Sequence, residues 1–291
     1  MQGSEAIYVL IDLARSPDMY PRMNQMARFT SQHLYSGDIA PKVLCTTPHL
    51  APMPKGSGLM DWWREPEQRE LLVACRTRVS QEVLRTHFRT LLRARFPDGN
   101  RYLFRFWDPR VLHTYLTQAN TYERAAFFGP VESFYFHPAA GLDMLEWYNA
   151  LAEDPRYDPH AGGGFGKDGV PISQRTLNAF APLRRDALLV ELFQYARRKL
   201  THWSEALGDV ELKRRVRVSV EHAETYGFKN PATIRAYFTQ MTLTPNFDQV
   251  DEVRQILLDN CIPEDKKITA CSKLNVTVLS KVGAIGQTWP T

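Results

Sequence analysis

Three polar side chains would form a hydrolytic site if the fold brought them together. Asp12 closes an apolar run, a position where catalytic carboxylates are common, and Asp108 and His113 follow much later in the chain. Carboxylates beside a histidine can supply a general acid and a general base. A phosphatase that uses such an aspartate as its nucleophile needs a second aspartate two residues on, where this chain has Ala14. The pattern therefore favours a structural Asp12 and leaves a hydrolase as an alternative, which requires all three side chains in one pocket.

The densest polar group beside a predicted strand consists of Arg105, Asp108 and Arg110, with Pro109 between the last two. One interpretation is a site that binds an anion or a substrate. The other is a helix cap, because aspartate is a preferred residue before a helix and proline suits the first helical position. We expect the cap, braced by the two arginines.

Motifs for metals, nucleotides and activated nucleophiles do not stand out in the sequence. The glycine-rich segment Gly162–Lys167 is followed by Asp168 rather than by the serine or threonine of a phosphate-binding loop. Histidine pairs with the spacing of a helical zinc site are missing. The cysteines form no CxxC pair and are expected to be free: Cys45, Cys75, Cys261 and Cys271. The sequence thus predicts a non-catalytic protein with no cofactor and no metal.

The charge balance argues against a nucleic-acid partner. The chain of 291 residues carries 36 Lys and Arg against 32 Asp and Glu, a net charge of +4. A nucleic-acid-binding regulator remains a weaker alternative that would use the basic runs Arg197–Lys199 and Lys213–Arg217 on one contiguous face. No signal peptide and no apolar stretch of membrane-spanning length is visible, so a cytoplasmic location is expected.

Alternating strand-like and helix-like segments in the first half predict an α/β lobe with a mainly parallel sheet and flanking helices. The second half is helical throughout. The expected organisation is an α/β lobe at 1–152, a linker or mobile loop rich in Gly and Pro at 153–175, and an α-helical lobe at 176–291. The predicted strands of the first lobe are Ala6–Asp12, Pro41–Thr46, Glu70–Cys75, Arg101–Trp107 and Phe134–His137.

Trp62 and Trp63 are the best candidates for contact with a partner protein. Adjacent residues cannot face the same way on a helix or on a strand, so one of these two indoles is expected to be exposed. Exposed tryptophan is enriched among the residues that dominate binding energy at interfaces.

The segment Arg101–Leu112 (RYLFRFWDPRVL) resembles the signature of the effector adaptors, or effector chaperones, of bacterial type VI secretion systems. Further segments resemble that family in the same order along the chain: Ala6–Asp12, Ala40–Leu44, Ala126–Val131, Tyr226–Phe228 and Asn246–Asp248. Two positions depart from the expected pattern, since Trp107 replaces a smaller aromatic residue and Lys42 replaces an apolar or aromatic one.

The resemblance implies a protein that holds a cognate toxic effector in the cytoplasm and promotes its loading onto the spike (VgrG-type) protein of the secretion tube. It implies no catalytic residue. The residues that carry the resemblance, most of them expected to be structural, are Asp12, Arg105, Asp108, Pro109, Arg110, Gly129 and Pro130.

Overall fold

The chain divides into two compact units, one at Met1–Leu183 and one at Arg184–Thr291. The computed structural model describes residues 5–26, 30–139, 142–150 and 165–274. Most of the linker predicted at 153–175 lies outside these residues, but its part from 165 onwards contributes a short strand to the first unit. Among the described residues, no helix is both long and apolar enough to cross a membrane.

The first unit contains the strands and the second is helical. The strands are β1 Ala6–Asp12, β2 Gln32–His33, β3 Pro48–Pro52, β4 Leu72–Thr77, β5 Arg93–Arg95, β6 Arg101–Leu103, β7 Val131–Phe136, β8 Leu145–Tyr148 and β9 Val170–Pro171. The α-helices are α1 Tyr20–Met26, α2 Pro41–Leu44, α3 Gly58–Arg64, α4 Gln81–Thr90, α5 Pro109–Gln118, α6 Thr121–Phe128, α7 Gln174–Ala179, α8 Ala181–Lys199, α9 Thr201–Thr225, α10 Pro231–Leu243, α11 Asp251–Leu258 and α12 Glu264–Ser272. Short 3-10 turns connect several of these elements.

The larger sheet of the described residues is antiparallel, so the prediction of a mainly parallel sheet is wrong. Its six strands lie in the order β2-β3-β1-β4-β7-β8, and each neighbouring pair is antiparallel. A parallel pair needs a crossover long enough to return the chain to the same end of the sheet. Helix α1, between β1 and β3, has seven residues and is about 10 Å long. The seven residues of β1 extend about 23 Å, so α1 is too short to return the chain along the whole of β1.

The central strands are apolar on both faces because helices cover both sides of the sheet. In β4, Leu72 and Ala74 belong to one buried cluster, and Val73 and Cys75 belong to the other. Strand side chains alternate between faces with a period of two, which explains this division. Continuous apolar runs therefore reflect burial on both faces and carry no information about strand direction.

The two clusters are supplied by different helices. On one face, α1 and α3 contribute Met23, Leu59 and Trp62. On the other face, α4, α5 and α6 supply a larger set of leucines and aromatic rings. The first unit is thus a sheet between two helical layers, and the helices that follow the motif segment lie on the larger cluster.

Two predicted strands are wrong. The segment Pro41–Thr46 begins with helix α2, whose first residue is the proline, a position that suits proline because its missing N–H would be unpaired there. Only the first three residues of Arg101–Trp107 form a strand. Phe106 and Trp107 are both buried in the same cluster, which the alternation of a regular strand does not allow for adjacent residues.

The second unit is a helical assembly with its own core. Most of its buried side chains come from helices α8 to α12, as the helical prediction for this half of the chain required. Pro231 is the first residue of α10, and Gly227 follows α9 with a φ of +80°.

The cysteines of the described residues are free, as expected. Cys75 and Cys271 are buried, Cys45 is partly exposed and Cys261 is exposed.

Gly129 and Pro130 join α6 to β7 at a tightly packed corner. Gly129 has a φ of +50°, and a Cβ atom there would lie 2.3 Å from Cε1 of His87. His87 is buried and its Nε2 donates to the carbonyl oxygen of Phe127 at 2.9 Å. Burial lowers the pKa of His87 to about 4, so the ring is neutral at pH 7. The hydroxyl of Thr77 donates to the carbonyl oxygen of Pro130 at 2.6 Å.

Gly129→Ala is expected to lower the free energy of unfolding by about 2–4 kcal/mol, because the new methyl group meets the His87 ring and the backbone is strained. Urea unfolding at pH 7 measures the change. The matched control is Gly99→Ala, where φ is +82° but nothing lies within 4 Å of the added Cβ, so only backbone strain of about 1–2 kcal/mol is expected. Equal losses at the two positions would contradict a tightly packed corner.

Candidate functional site

Asp12 and Arg105 form an ion pair at the end of β1, in which the carboxylate is buried and the guanidinium is exposed to solvent. Arg105 Nη2 donates to Asp12 Oδ2 at 2.6 Å, although 93 residues separate the two positions. Asp12 is 1% exposed, and within the described residues its Oδ1 has no hydrogen-bond partner. Burial raises the pKa of Asp12 above its ordinary value, an effect that the charge and hydrogen bond of Arg105 reduce but do not cancel. The charge of Asp108 raises the pKa further, which places the two carboxylates in one electrostatic environment.

Asp108 caps helix α5 and holds Arg110 with two side-chain hydrogen bonds. Its Oδ1 accepts from the backbone N–H of Arg110 at 3.0 Å, as a capping residue does. The guanidinium of Arg110 donates from Nε at 3.0 Å and from Nη2 at 2.7 Å. Burial raises the pKa of Asp108, but the hydrogen bonds and charge of Arg110 outweigh it, so the pKa lies below its ordinary value. The predicted cap with a bracing arginine is present.

A third ion pair completes this group of charges. Arg15, three residues after Asp12, donates from Nη2 to Glu70 Oε2 at 2.9 Å and from Nη1 to the Glu70 carbonyl oxygen at 3.0 Å. The charge of Arg15 also lowers the pKa of both Asp12 and Asp108. We call the three pairs the charge network; its residues are Asp12, Arg15, Glu70, Arg105, Asp108 and Arg110.

His113 lies apart from the charge network. Its ring contacts Phe136 and Trp147 with centroid distances of 6.3 Å to each, and burial lowers its pKa. Five positions along α5 turn His113 about 140° around the helix from Asp108. Within the described residues, the buried Nδ1 of His113 has no hydrogen-bond partner. The structure therefore places Asp12 and Asp108 near enough to interact electrostatically, and it packs His113 against two aromatic rings.

Trp62 and Trp63 differ in exposure, as adjacent helical residues must. Trp62 is 1% exposed and packs in the smaller cluster of the sheet, so it presents no surface to a partner in this conformation. Trp63 is partly buried, and its ring contacts His137 with a centroid distance of 6.1 Å. The partner-binding prediction therefore applies to Trp63 alone.

A surface cavity of about 570 Å³ lies in the first unit and was not predicted. We call it the arginine cavity; its lining residues are Tyr35, Ser36, Arg89, Thr90, Leu92, Arg93 and Leu103. It lies close to the charge network, since the charges of Arg105 and Asp12 both act on the pKa of Tyr35, which burial raises. No carboxylate lines the cavity among the described residues. The arrangement can accept an anionic group beside an apolar side chain.

Arginine spacing was the sequence signal for this cavity. Arg85, Arg89 and Arg93 recur every four residues, which on one helix places them on one face. The structure assigns them separate roles. Arg85 donates to the carbonyl oxygen of His33 at 2.8 Å and Arg89 donates to the hydroxyl of Ser36. Arg93 belongs to β5, beyond the end of α4.

In the second unit, two of the resembling segments meet at a buried carboxylate. Asp248 is 1% exposed and accepts hydrogen bonds on Oδ2 from Tyr237 at 2.7 Å, Tyr226 at 3.3 Å and His222 Nδ1 at 3.1 Å. Burial and the charge of Asp248 raise the pKa of Tyr226 to about 12. These contacts join α9, α10 and the turn before α11, so the segment pair has a structural role.

The basic runs of the nucleic-acid alternative are partly paired with acids of the same unit. Arg197 pairs with Asp209, and Arg214 and Arg215 pair with Glu211. Within the residues that the structure describes, no group of three or more His, Cys, Asp or Glu side chains is placed to hold a metal ion.

Asp108→Ala is expected to lower the free energy of unfolding by about 2–3 kcal/mol, because it removes a helix cap and a charge-assisted pair together. Urea unfolding at pH 7 measures the loss. The control is Asp61→Ala, since Asp61 pairs with Arg64 at 3.0 Å but both side chains are 71% exposed, and such pairs contribute about 0.5 kcal/mol or less. A loss at Asp108 no larger than that at Asp61 would contradict the assigned role.

Asp12→Asn and Asp108→Asn are expected to show opposite pH dependence. A raised pKa in the folded state means that wild type loses stability as Asp12 ionises, so Asp12→Asn gains stability relative to wild type as the pH rises from acid to neutral. A lowered pKa has the reverse effect, so Asp108→Asn loses stability relative to wild type over the same rise. The measurement is the free energy of unfolding at several pH values; slopes of the same sign would refute the assignment.

The comparisons with known proteins find one similarity in the first unit. Residues 7–126 match the family model described as Domain of unknown function (DUF4123). No curated protein and no solved structure matches the chain. The charge network lies entirely within the matched residues, whereas Gly129, Pro130 and the second unit lie beyond them. The first unit, from β1 to most of α6, is thus similar to this domain.

Proposed function

We propose that the protein is a non-catalytic adaptor that binds a cognate type VI secretion effector and promotes its loading onto the spike (VgrG-type) protein. The observation that carries this proposal is the match of residues 7–126 to the DUF4123 domain. Of the residues that carry the resemblance to the effector-adaptor family, Asp12, Arg105 and Asp108–Arg110 lie inside the match, and Gly129 and Pro130 lie beyond it. The domain and the motif therefore support the same function from the same residues.

The chemistry of the charge network supports a binding role. Each of its carboxylates accepts a hydrogen bond from an arginine of the same chain, and Arg110 holds the pKa of Asp108 below its ordinary value, which makes Asp108 a weak base. His113, the general base of the hydrolase alternative, contacts aromatic rings. In the proposed function the network fixes the end of β1 to the start of α5 and so shapes the surface beside it.

The arginine cavity is the part of that surface best suited to an effector. Its rim includes Leu103, which is 55% exposed, next to Tyr102, which is 46% exposed. Arg93 makes no ion pair among the described residues, so its charge is available to a partner. We expect the effector to contribute an acidic residue beside an apolar side chain, because the apolar side chain supplies the affinity and the charge pair supplies orientation.

Deletion of the gene is expected to abolish secretion of one effector while the tube protein is still secreted. The measurement is immunoblotting of culture supernatants, after the effector has been identified by affinity capture of the tagged chain and mass spectrometry. Unchanged secretion of every effector, or capture of neither a toxin-like protein nor a spike protein from cells with an assembled secretion system, would refute the proposal.

Paired variants locate the effector site. Arg89→Glu with Arg93→Glu reverses two charges of the arginine cavity, and capture of the effector should fall about tenfold or more. The control, Arg22→Glu with Arg64→Glu, reverses two exposed arginines of the same unit and should capture the effector normally.

The variant His113→Phe tests the hydrolase alternative. It keeps the aromatic packing and should support secretion normally, whereas a hydrolase that uses His113 would lose its activity.

A further inference from the structure

The second unit has its own apolar groove between helices α8 and α9. Leu189, Val190 and Phe193 line it from α8, and Val216 lines it from α9. The groove has a volume of about 300 Å³. Val216 is 1% exposed and forms part of the buried core, whereas Val190 is 57% exposed at the rim. We call this feature the α8–α9 groove.

Two of the residues that line this groove are cationic, and none of the lining residues is acidic. Lys213 and Arg217 stand on α9, one turn apart, and both are exposed. The ammonium group of Lys213 lies 5.7 Å from the centroid of the Phe193 ring. Among the described residues, neither Lys213 nor Arg217 has a carboxylate at ion-pair distance. The pair differs in this respect from Arg214 and Arg215, which Glu211 neutralises.

A further exposed valine lies on α9, close in sequence to Lys213. Val210, one turn before Lys213, is 86% exposed. Val190 and Val210 thus leave one apolar side chain exposed on each of the two helices. A groove between two helices, with apolar residues at successive turns, fits the side chains that an amphipathic helix presents at positions i, i+3 or i+4 and i+7.

The geometry points to a docking site on the second unit for an acidic amphipathic helix of a protein partner. Leucine-like side chains of that helix would fill the groove over Val216, and its flanking carboxylates would pair with Lys213 and Arg217. Charge complementarity selects this occupant, because a basic helix would meet two unpaired cations. That the partner is a component of the export pathway rests on the proposed function; the chemistry of the docking site does not.

A labelled model peptide tests this site on the full-length chain. The probe is a helical peptide of about 18 residues in which leucines follow the i, i+3, i+7 spacing and glutamates flank them. The comparison peptide has lysines in place of the glutamates. Fluorescence anisotropy is expected to show binding of the glutamate peptide about tenfold tighter than that of the lysine peptide, with the affinity falling as salt rises.

Charge reversal makes the test specific. Lys213→Glu with Arg217→Glu should weaken the glutamate peptide about tenfold and strengthen the lysine peptide, and the uncharged substitution Val190→Ser should weaken both. The control, Lys199→Glu with Lys266→Glu, changes the net charge equally at two exposed lysines and should leave both affinities unchanged. Equal binding of the two peptides, or loss of binding in the control variant alone, would overturn the proposed site.

A second copy of the chain is the main competing occupant. Sedimentation velocity over a range of concentrations distinguishes it: a dimer that Val190→Glu dissociates would overturn the proposal of a helical partner.

The secretion assay separates this inference from the proposed function. If the wild-type chain binds neither peptide while gene deletion still abolishes secretion of the effector, the docking site is refuted and the adaptor function stands. If gene deletion leaves secretion unchanged while the peptides bind as expected, the adaptor function is refuted and the docking site stands.

Discussion

Strand β1 is uncharged until its last residue, Asp12. The carboxylate has left water, which raises its pKa, and Arg105 is the cation that makes its burial tolerable. Arg105 also belongs to the loop that leads into α5, and Asp108 of the same loop caps that helix. One strand end, one loop and one helix start are therefore fixed together by charge. The larger cluster of the first unit forms beneath this junction.

The network has a cost as well as a benefit for stability. Asp108 keeps a lowered pKa because Arg110 satisfies both of its oxygens, whereas Asp12 leaves one oxygen buried without a partner among the described residues. The ionised form of Asp12 is therefore less favoured than that of Asp108, and its pairing with Arg105 also sets the shape of the adjoining surface. The arginine cavity is that surface. Tyr35 lines the cavity, and the charges of Asp12 and Arg105 act on its pKa.

Local features of the structure could be predicted from the sequence, and distant pairings could not. The cap at Asp108, the break at Gly129 and the proline at the start of α10 depend on residues within one helical turn. The Asp12–Arg105 pair spans 93 positions, and no spacing rule predicts it. The direction of the strands could not be predicted from the sequence either, because an apolar run such as that of β4 indicates burial on both faces and not strand direction. The arginine cavity combines side chains from a loop, α4, β5 and β6, and only the arginine spacing along α4 was visible.

The distribution of the free thiols gives the wild-type chain a practical property. Burial raises the pKa of Cys75, and it raises that of Cys271 to about 11, so both thiols resist alkylation. Cys261 is exposed in the second unit and Cys45 is partly exposed in the first. Maleimide dyes should therefore attach at one accessible position in each unit. A donor and acceptor pair at Cys45 and Cys261 would report the separation of the units as each partner arrives, without any engineered cysteine.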